Sequence, residues 1–164
     1  MNLKDFLHYD PETGHWAWLV SGRGTRSPRA GTVGKWGYIV IQFNGKLYRA
    51  HRLAWFYMTG EWPKEDIDHI NRIKDDNRWC NLREASRSQN NINSGMRKHN
   101  TSGLKGVFYR SDRPKKWQAK IGLNGRGKHL GYFNTKEEAH AAYLAAARAN
   151  YGDFLPDSPT DAVN

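Results

Sequence analysis

Ile67-Asp68-His69-Ile70, read together with Asn81 and Asn90 downstream, is the stretch on which the reading of this chain turns. A carboxylate beside an imidazole, followed by two carboxamides, is a compact set of groups for cutting a phosphodiester. Asp68 offers hard oxygen to a divalent cation and Asn90 a second, neutral oxygen. His69 has an ordinary pKa near neutrality, suited to taking a proton from water. The bland alternative is an Asp–His pair that merely fixes a strand, and alone such a pair is structural more often than catalytic. Its surroundings favour chemistry. Asp66 to Ile70 reads as a short strand, residues 71–80 as a polar loop, and Leu82-Arg83-Glu84-Ala85 as a second strand. Ser86-x-x-Gln89 is a capping box, so a helix is expected from Ser86 with Asn90 in its early turns. Strand, loop, strand and helix in that order would aim oxygen ligands from two elements at one point.

Upstream, residues 1–49 read as mostly β. Asp10 to Gly14 is a turn, followed by an alternating run with Trp16 and Trp18. A Gly-, Ser- and Arg-rich loop runs from Ser21 to Gly34 and carries Arg23, Arg26 and Arg29, which either touch phosphate or are simply solvated. Asn44-Gly45 between two β-rich runs predicts a hairpin. The period then changes: Leu53, Phe56 and Tyr57 share a helical face, with Gly60 placed to end the helix and Pro63 to prevent its return. His51 opens that helix, where a packing or supporting role is the more frequent one.

Residues 94–103 are small, polar and basic, without apolar periodicity, and read as a linker. Beyond them lie three strands and a helix. Gly106–Arg110 is the first strand. Trp117–Leu123 alternates, with Trp117, Ala119, Ile121 and Leu123 on one face and Gln118 and Lys120 on the other. Asn124-Gly125 turns into Lys128–Phe133. Thr135-x-x-Glu138 caps an alanine-rich helix to about Asn150, whose inner face is expected to be Ala139, Ala142, Tyr143 and Ala146. The tail from residue 155 reads as disordered.

Composition bounds the function. The formal net charge is +10 over 164 residues, and such a basic chain ordinarily meets a polyanion, nucleic acid first and an acidic membrane surface second. Seven Trp, eight Tyr and six Phe suit small cores without staples. The single Cys80 excludes an intramolecular disulfide and any Cys-rich zinc site. No apolar run is long enough to span a bilayer and no leader is evident, so a soluble, cytoplasmic protein without membrane association is expected.

Residues 51–93 resemble the HNH nuclease family in the version found in phage and intron-encoded homing endonucleases. The matching residues are His51-Arg52-Leu53-Ala54, Asp68-His69-Ile70-Asn71, Asn77-Arg78, Asn81-Leu82-Arg83 and Gln89-Asn90-Asn91. Residues 104–154 are similar to the plant APETALA2/ethylene-response-factor DNA-binding domain. That likeness rests on Gly106-Val107, Trp117-x-Ala119-x-Ile121, Leu130-Gly131-x-Phe133, Glu138-Ala139 and Ala142-Tyr143-x-x-Ala146.

The resemblance implies an α+β chain: a ββα-metal (His-Me finger) nuclease module preceded by a β-hairpin region, then a three-stranded antiparallel sheet packed on one helix. The expected divisions are 1–95 for the nuclease module, 96–102 for a basic linker, 103–154 for a DNA-reading module and 155–164 for the tail. His69 is then the general base, Asp68 and Asn90 the metal ligands, and Asn81 the brace that holds the loop and orients the base, with His51 in support. Asn91 competes with Asn90, and Asn77 with Asn81. Oxygen ligands suit Mg²⁺, with Mn²⁺ as the alternative. Lys105, Phe108, Arg110, Gln118, Lys120 and His129 match positions on the DNA-facing sheet surface, and Arg126 and Lys128 crowd its turns. The implied partner is double-stranded DNA, bound by a monomer that nicks or a homodimer that cuts both strands, with no obligate protein partner. The rival is a DNA-binding regulator whose nuclease module is inactive. Two departures stand out: Asn71 replaces a common Asp, and Arg72 a common Gly.

Overall fold

Asn44 and Gly45 both take positive φ, 49° and 73°, as a two-residue hairpin turn of the favoured twist requires. They join two strands of a small antiparallel sheet, β3 (Thr32–Val33), β4 (Ile39–Phe43) and β5 (Lys46–Arg49). Before it, β1 (Leu7–Tyr9) and β2 (Trp16–Trp18) form a second antiparallel pair. These strands, like those that follow, belong to a computed structural model that describes residues 2–19 and 29–155. Arg23 and Arg26, and the tail beyond residue 155, lie outside the described residues.

The chain divides into two compact units, Met1–Ala85 and Ser86–Asn164. In the first, helix α1 (Ala50–Thr59) follows β5 directly and stops at Gly60, whose left-handed backbone (φ 80°) lets its N–H close on the Phe56 carbonyl. Arg52 donates to the carbonyls of Pro63 and Glu65 and so fixes the turn that leads into β6 (Asp66–His69). Strand β7 (Leu82–Ala85) pairs antiparallel with β6, setting Asp68 opposite Arg83 and His69 opposite Leu82. Leu7, Tyr9, Trp16, Ile41, Leu53, Ala54, Ile67 and Leu82 form the core of this unit, with most of the remaining aromatics packed around it.

In the second unit the Ser86–Gln89 capping box is present in both directions and starts helix α2 (Arg87–Asn93). The sheet order is β10 (Arg126–Phe133), β9 (Trp117–Leu123), β8 (Val107–Tyr109), all antiparallel. Helix α3 (Lys136–Tyr151) begins at the Thr135–Glu138 capping box. Its buried stripe is Ala139, Tyr143 and Ala147, an i, i+4 row; Ala142 and Ala146, expected inside, are half-buried at the margins. Ala119 and Ile121 of β9 face it, as the alternation predicts.

The stretch 96–102, expected as a linker, lies within the second of these compact units. Local hydrogen bonding accounts for that. The Asn100 Oδ1 accepts from the Ser102 and Gly103 amides and the Ser102 hydroxyl, and Ser102 is buried. A polar, basic composition hid these turns, because short-range side-chain bonds leave no apolar period.

Candidate active site

The loop between β6 and β7 is tied down from three directions. Asn81 holds it from the end of the loop itself: its Oδ1 accepts from the Asn71 amide at 3.0 Å, and its Nδ2 donates to Asn71 Oδ1 at 2.9 Å and to the Asp76 carbonyl at 2.7 Å. Arg78 forks onto both Asp76 oxygens, at 2.8 and 2.5 Å, and this holds the Asp76 carboxyl down at about 2. From the N-terminal pair, the buried Tyr9 hydroxyl donates to the Asn77 carbonyl at 2.6 Å, and the Trp79 amide donates to the Pro11 carbonyl at 2.9 Å. Gly14 lies so close that a Cβ there would stand 2.4 Å from the Arg78 nitrogen. Sequence reasoning treated 10–14 as a turn and missed this buttress.

What the loop positions is His69. The imidazole is buried, and its Nε2 lies 3.1 Å from Asn77 Oδ1. Asn77 Nδ2 donates to the Asp75 carbonyl, which turns its oxygen toward the ring. An acceptor at Nε2 requires the proton to sit there, so the lone pair of the neutral ring is on Nδ1. Burial lowers the pKa of His69, and the Asn77 bond partly opposes the shift. Asn81 bonds to the loop at Asn71 and Asp76, and the residue on the imidazole is Asn77.

Asp68, beside it, is also buried, and Arg83 across the strand pair donates from Nε and Nη2 to Oδ2, both at 3.0 Å. Both donors fall on that one oxygen. His51, at the start of α1, sets its ring edge-on to His69 with centroids 4.9 Å apart, and Tyr38 packs on both rings. His51 is 3% exposed and its Nδ1 has no hydrogen-bond partner among the described residues. Burial, with the neighbouring His69, Arg49 and Arg52 adding to it, pushes its pKa down to about 3, so it is neutral.

Asn90 is half-buried on α2 and Asn91 is exposed there; both belong to the second unit, whereas Asp68 belongs to the first. No cluster of three His, Cys, Asp or Glu side chains suited to a metal occurs among the described residues. The donors that sequence singles out, one carboxylate and one carboxamide, are hard oxygens that fit a magnesium-like ion.

Residues 48–92 match the HNH endonuclease family. That segment holds Asp68, His69, Asn77 and Asn81. The chain is also 30% identical over 131 residues to a protein of Acanthamoeba polyphaga mimivirus named as an uncharacterized HNH endonuclease. That stretch takes in 79% of this chain and 66% of the relative, so the chain spans just under two thirds of the relative's length. No solved structure matches the chain. The HNH match stops short of residues 104–154, where the likeness to the plant DNA-binding domain rests on the quoted motifs alone.

On the sheet of the second unit the expected DNA contacts divide. Arg110, Lys120, Arg126, Lys128 and His129 are exposed, as is Phe108. Gln118, expected in the open, is buried: its register partners are Phe108 and Tyr132, and the Arg110 Nε donates to its Oε1 at 2.9 Å. Lys105 is half-buried, and its amine donates to the Ile92 carbonyl at 2.7 Å and to the Ser94 carbonyl at the end of α2. No helix among the described residues is long and apolar enough to cross a membrane.

Proposed function

We propose that the chain is a metal-dependent DNA endonuclease of the HNH type that hydrolyses phosphodiester bonds, nicking as a monomer. The observation that carries this reading is the buried His69 imidazole, held at Nε2 by Asn77 beside a buried carboxylate, within the segment that matches the family. His69 takes a proton from water at Nδ1. The hydroxide so formed attacks phosphorus in line, and the 3′-oxygen departs, leaving 5′-phosphate and 3′-hydroxyl ends. Asp68 and Asn90 would hold a divalent ion, Mg²⁺ in preference to Mn²⁺, whose charge offsets that of the phosphate and the departing oxygen. On this reading β6, β7 and α2 are the ββα-metal module, Asn81 keeps the loop in register, and His51 supports the base. The exposed Arg110, Lys120, Arg126, Lys128 and His129 hold duplex DNA on the sheet of the second unit.

The Arg83 fork on Asp68 favours the rival reading, a DNA-binding regulator without activity, because an arginine already neutralises the carboxylate. Supercoiled plasmid with Mg²⁺ separates the two. The endonuclease reading expects open-circular product from the wild type, none from His69→Ala, and retained DNA affinity in that variant. Retained affinity with no nicking by the wild type at any Mg²⁺ concentration gives the regulator. Cutting by His69→Ala at the wild-type rate removes the base assignment.

A further inference from the structure

Tyr38 packs against the two imidazoles of the candidate site and also against cations that nothing in the cleavage chemistry employs. The Arg49 guanidinium lies 4.8 Å from its ring centroid and the Lys74 amine 5.3 Å. Lys74 also donates to the Trp36 carbonyl at 3.1 Å, and the Lys35 amine sits 5.4 Å over the Trp36 indole. Lys35, Arg49 and Lys74 are exposed, and none is paired with a carboxylate among the described residues. Trp36 is 69% exposed. It is not on a loose loop: the Gly34 amide closes on the Tyr38 carbonyl at 2.8 Å and the Gly37 amide on the Gly34 carbonyl at 2.9 Å, so a tight turn presents the ring.

We propose that Arg49 and Lys74 on Tyr38, with Trp36 joined through Lys74 and Lys35 over its indole, form a docking site for the sugar–phosphate backbone of duplex DNA next to the bond that His69 addresses. The proposal rests on the endonuclease reading for its ligand, and on charge for its argument. A phosphodiester presented to the imidazole brings neighbouring phosphates within a few ångströms along the strand. Arg49 and Lys74, one aromatic ring away from that imidazole, and Lys35 over the Trp36 indole meet those phosphates. An indole flanked by cations and held out on a closed turn offers a flat apolar face to a sugar or base, a contact that tolerates any sequence. The nuclease unit would thus grip the backbone at the cut without reading bases, and sequence choice would be left to the other unit.

The test uses the full chain, a mixed-sequence duplex oligonucleotide in EDTA so that binding is read without cutting, and plasmid nicking with Mg²⁺ on the same preparations. Trp36→Ala should weaken binding by roughly ten-fold. Lys35→Gln, which gives up only the amine's contact over the Trp36 indole, should lower the slope of log affinity against log salt by about 0.9. Both side chains are exposed, so thermal unfolding of the two variants should match wild type and exclude misfolding as the cause. Loss of affinity in the variants supports the docking site even if the wild type nicks nothing, in which case the endonuclease reading alone falls. Wild-type nicking together with unchanged affinity and salt slope in both variants overturns the docking site and leaves the endonuclease standing.

Discussion

Asn77 Oδ1 stands 3.1 Å from His69 Nε2 and thereby decides which imidazole nitrogen can take a proton. Replacing Asn77 by Ala leaves Nε2–H buried without an acceptor, and the ring is then free to change tautomer. Nicking should fall at least roughly ten-fold, a part of the 10²–10⁴ that a positioned base supplies. Asn77→Asp should behave differently. A carboxylate beside the ring favours the imidazolium, so the acid limb of the pH–rate profile should move to higher pH. Identical pH–rate profiles in wild type and Asn77→Asp would remove Asn77 from the site.

Acid should destabilise the first unit through His51. Its folded pKa of about 3 lies below the ordinary 6.5, so the unfolded chain binds the extra proton between those values. Stability therefore rises with pH across that window and is lost as pH falls through it. His69, whose pKa is also lowered, acts in the same direction. Thermal unfolding followed from pH 7 to pH 4 should show a midpoint that declines with acidity, and His51→Gln should flatten the decline. An equally steep decline in the variant would assign the effect to other groups.

Gly14→Ala should damage the site from a distance. The position has φ +71°, and a Cβ would meet the backbone of Asn77 and Arg78 at 2.4 Å, where no flexible side chain can yield. The cost is at least ~2 kcal/mol from left-handed backbone plus overpacking. Gly45→Ala, also left-handed but with open space around it, is the control and should cost only about 1 kcal/mol. Denaturant unfolding compares the two, and Gly14→Ala should also lower nicking because it displaces the carbonyl side of Asn77.

Arg72 should prefer to be glycine. Its φ of 65° is left-handed backbone, and its amide closes a turn on the His69 carbonyl at 2.9 Å. Arg72→Gly should raise stability by up to about 1 kcal/mol, the strain relieved less the added entropy of the unfolded chain. A drop in unfolding midpoint would mean that the Arg72 side chain stabilises the loop by more than the strain costs.

Most elements were legible because each was marked by local chemistry: Asn44-Gly45, Gly60, and the Ser86 and Thr135 capping boxes stand at the element ends they predict. The parts that escaped depend on contacts far apart in sequence. Nothing near Tyr9 or Gly14 shows that they prop Asn77, and nothing at position 83 shows that it would face Asp68 across a strand pair. Gln118 obeyed the alternation and was still covered, because Phe108, Tyr132 and Arg110 come from other strands or beyond their ends. At Arg72 the resemblance implied a Gly in its place, and the left-handed backbone there is the conformation that glycine adopts most readily.

The seam at Ala85/Ser86 has a consequence for building chimeras. Helix α2 keeps Ile92 in a cluster with Ile121 and Tyr143, its end carbonyls on the Lys105 amine, and Ser88 Oγ on the Gly125 amide. A graft made in the basic stretch at 96–102 would tear that helix from its neighbours. Exchanging the second unit for another therefore means transplanting Asn90 with it, so any role of that carboxamide would travel with the exchanged unit as one inheritable package.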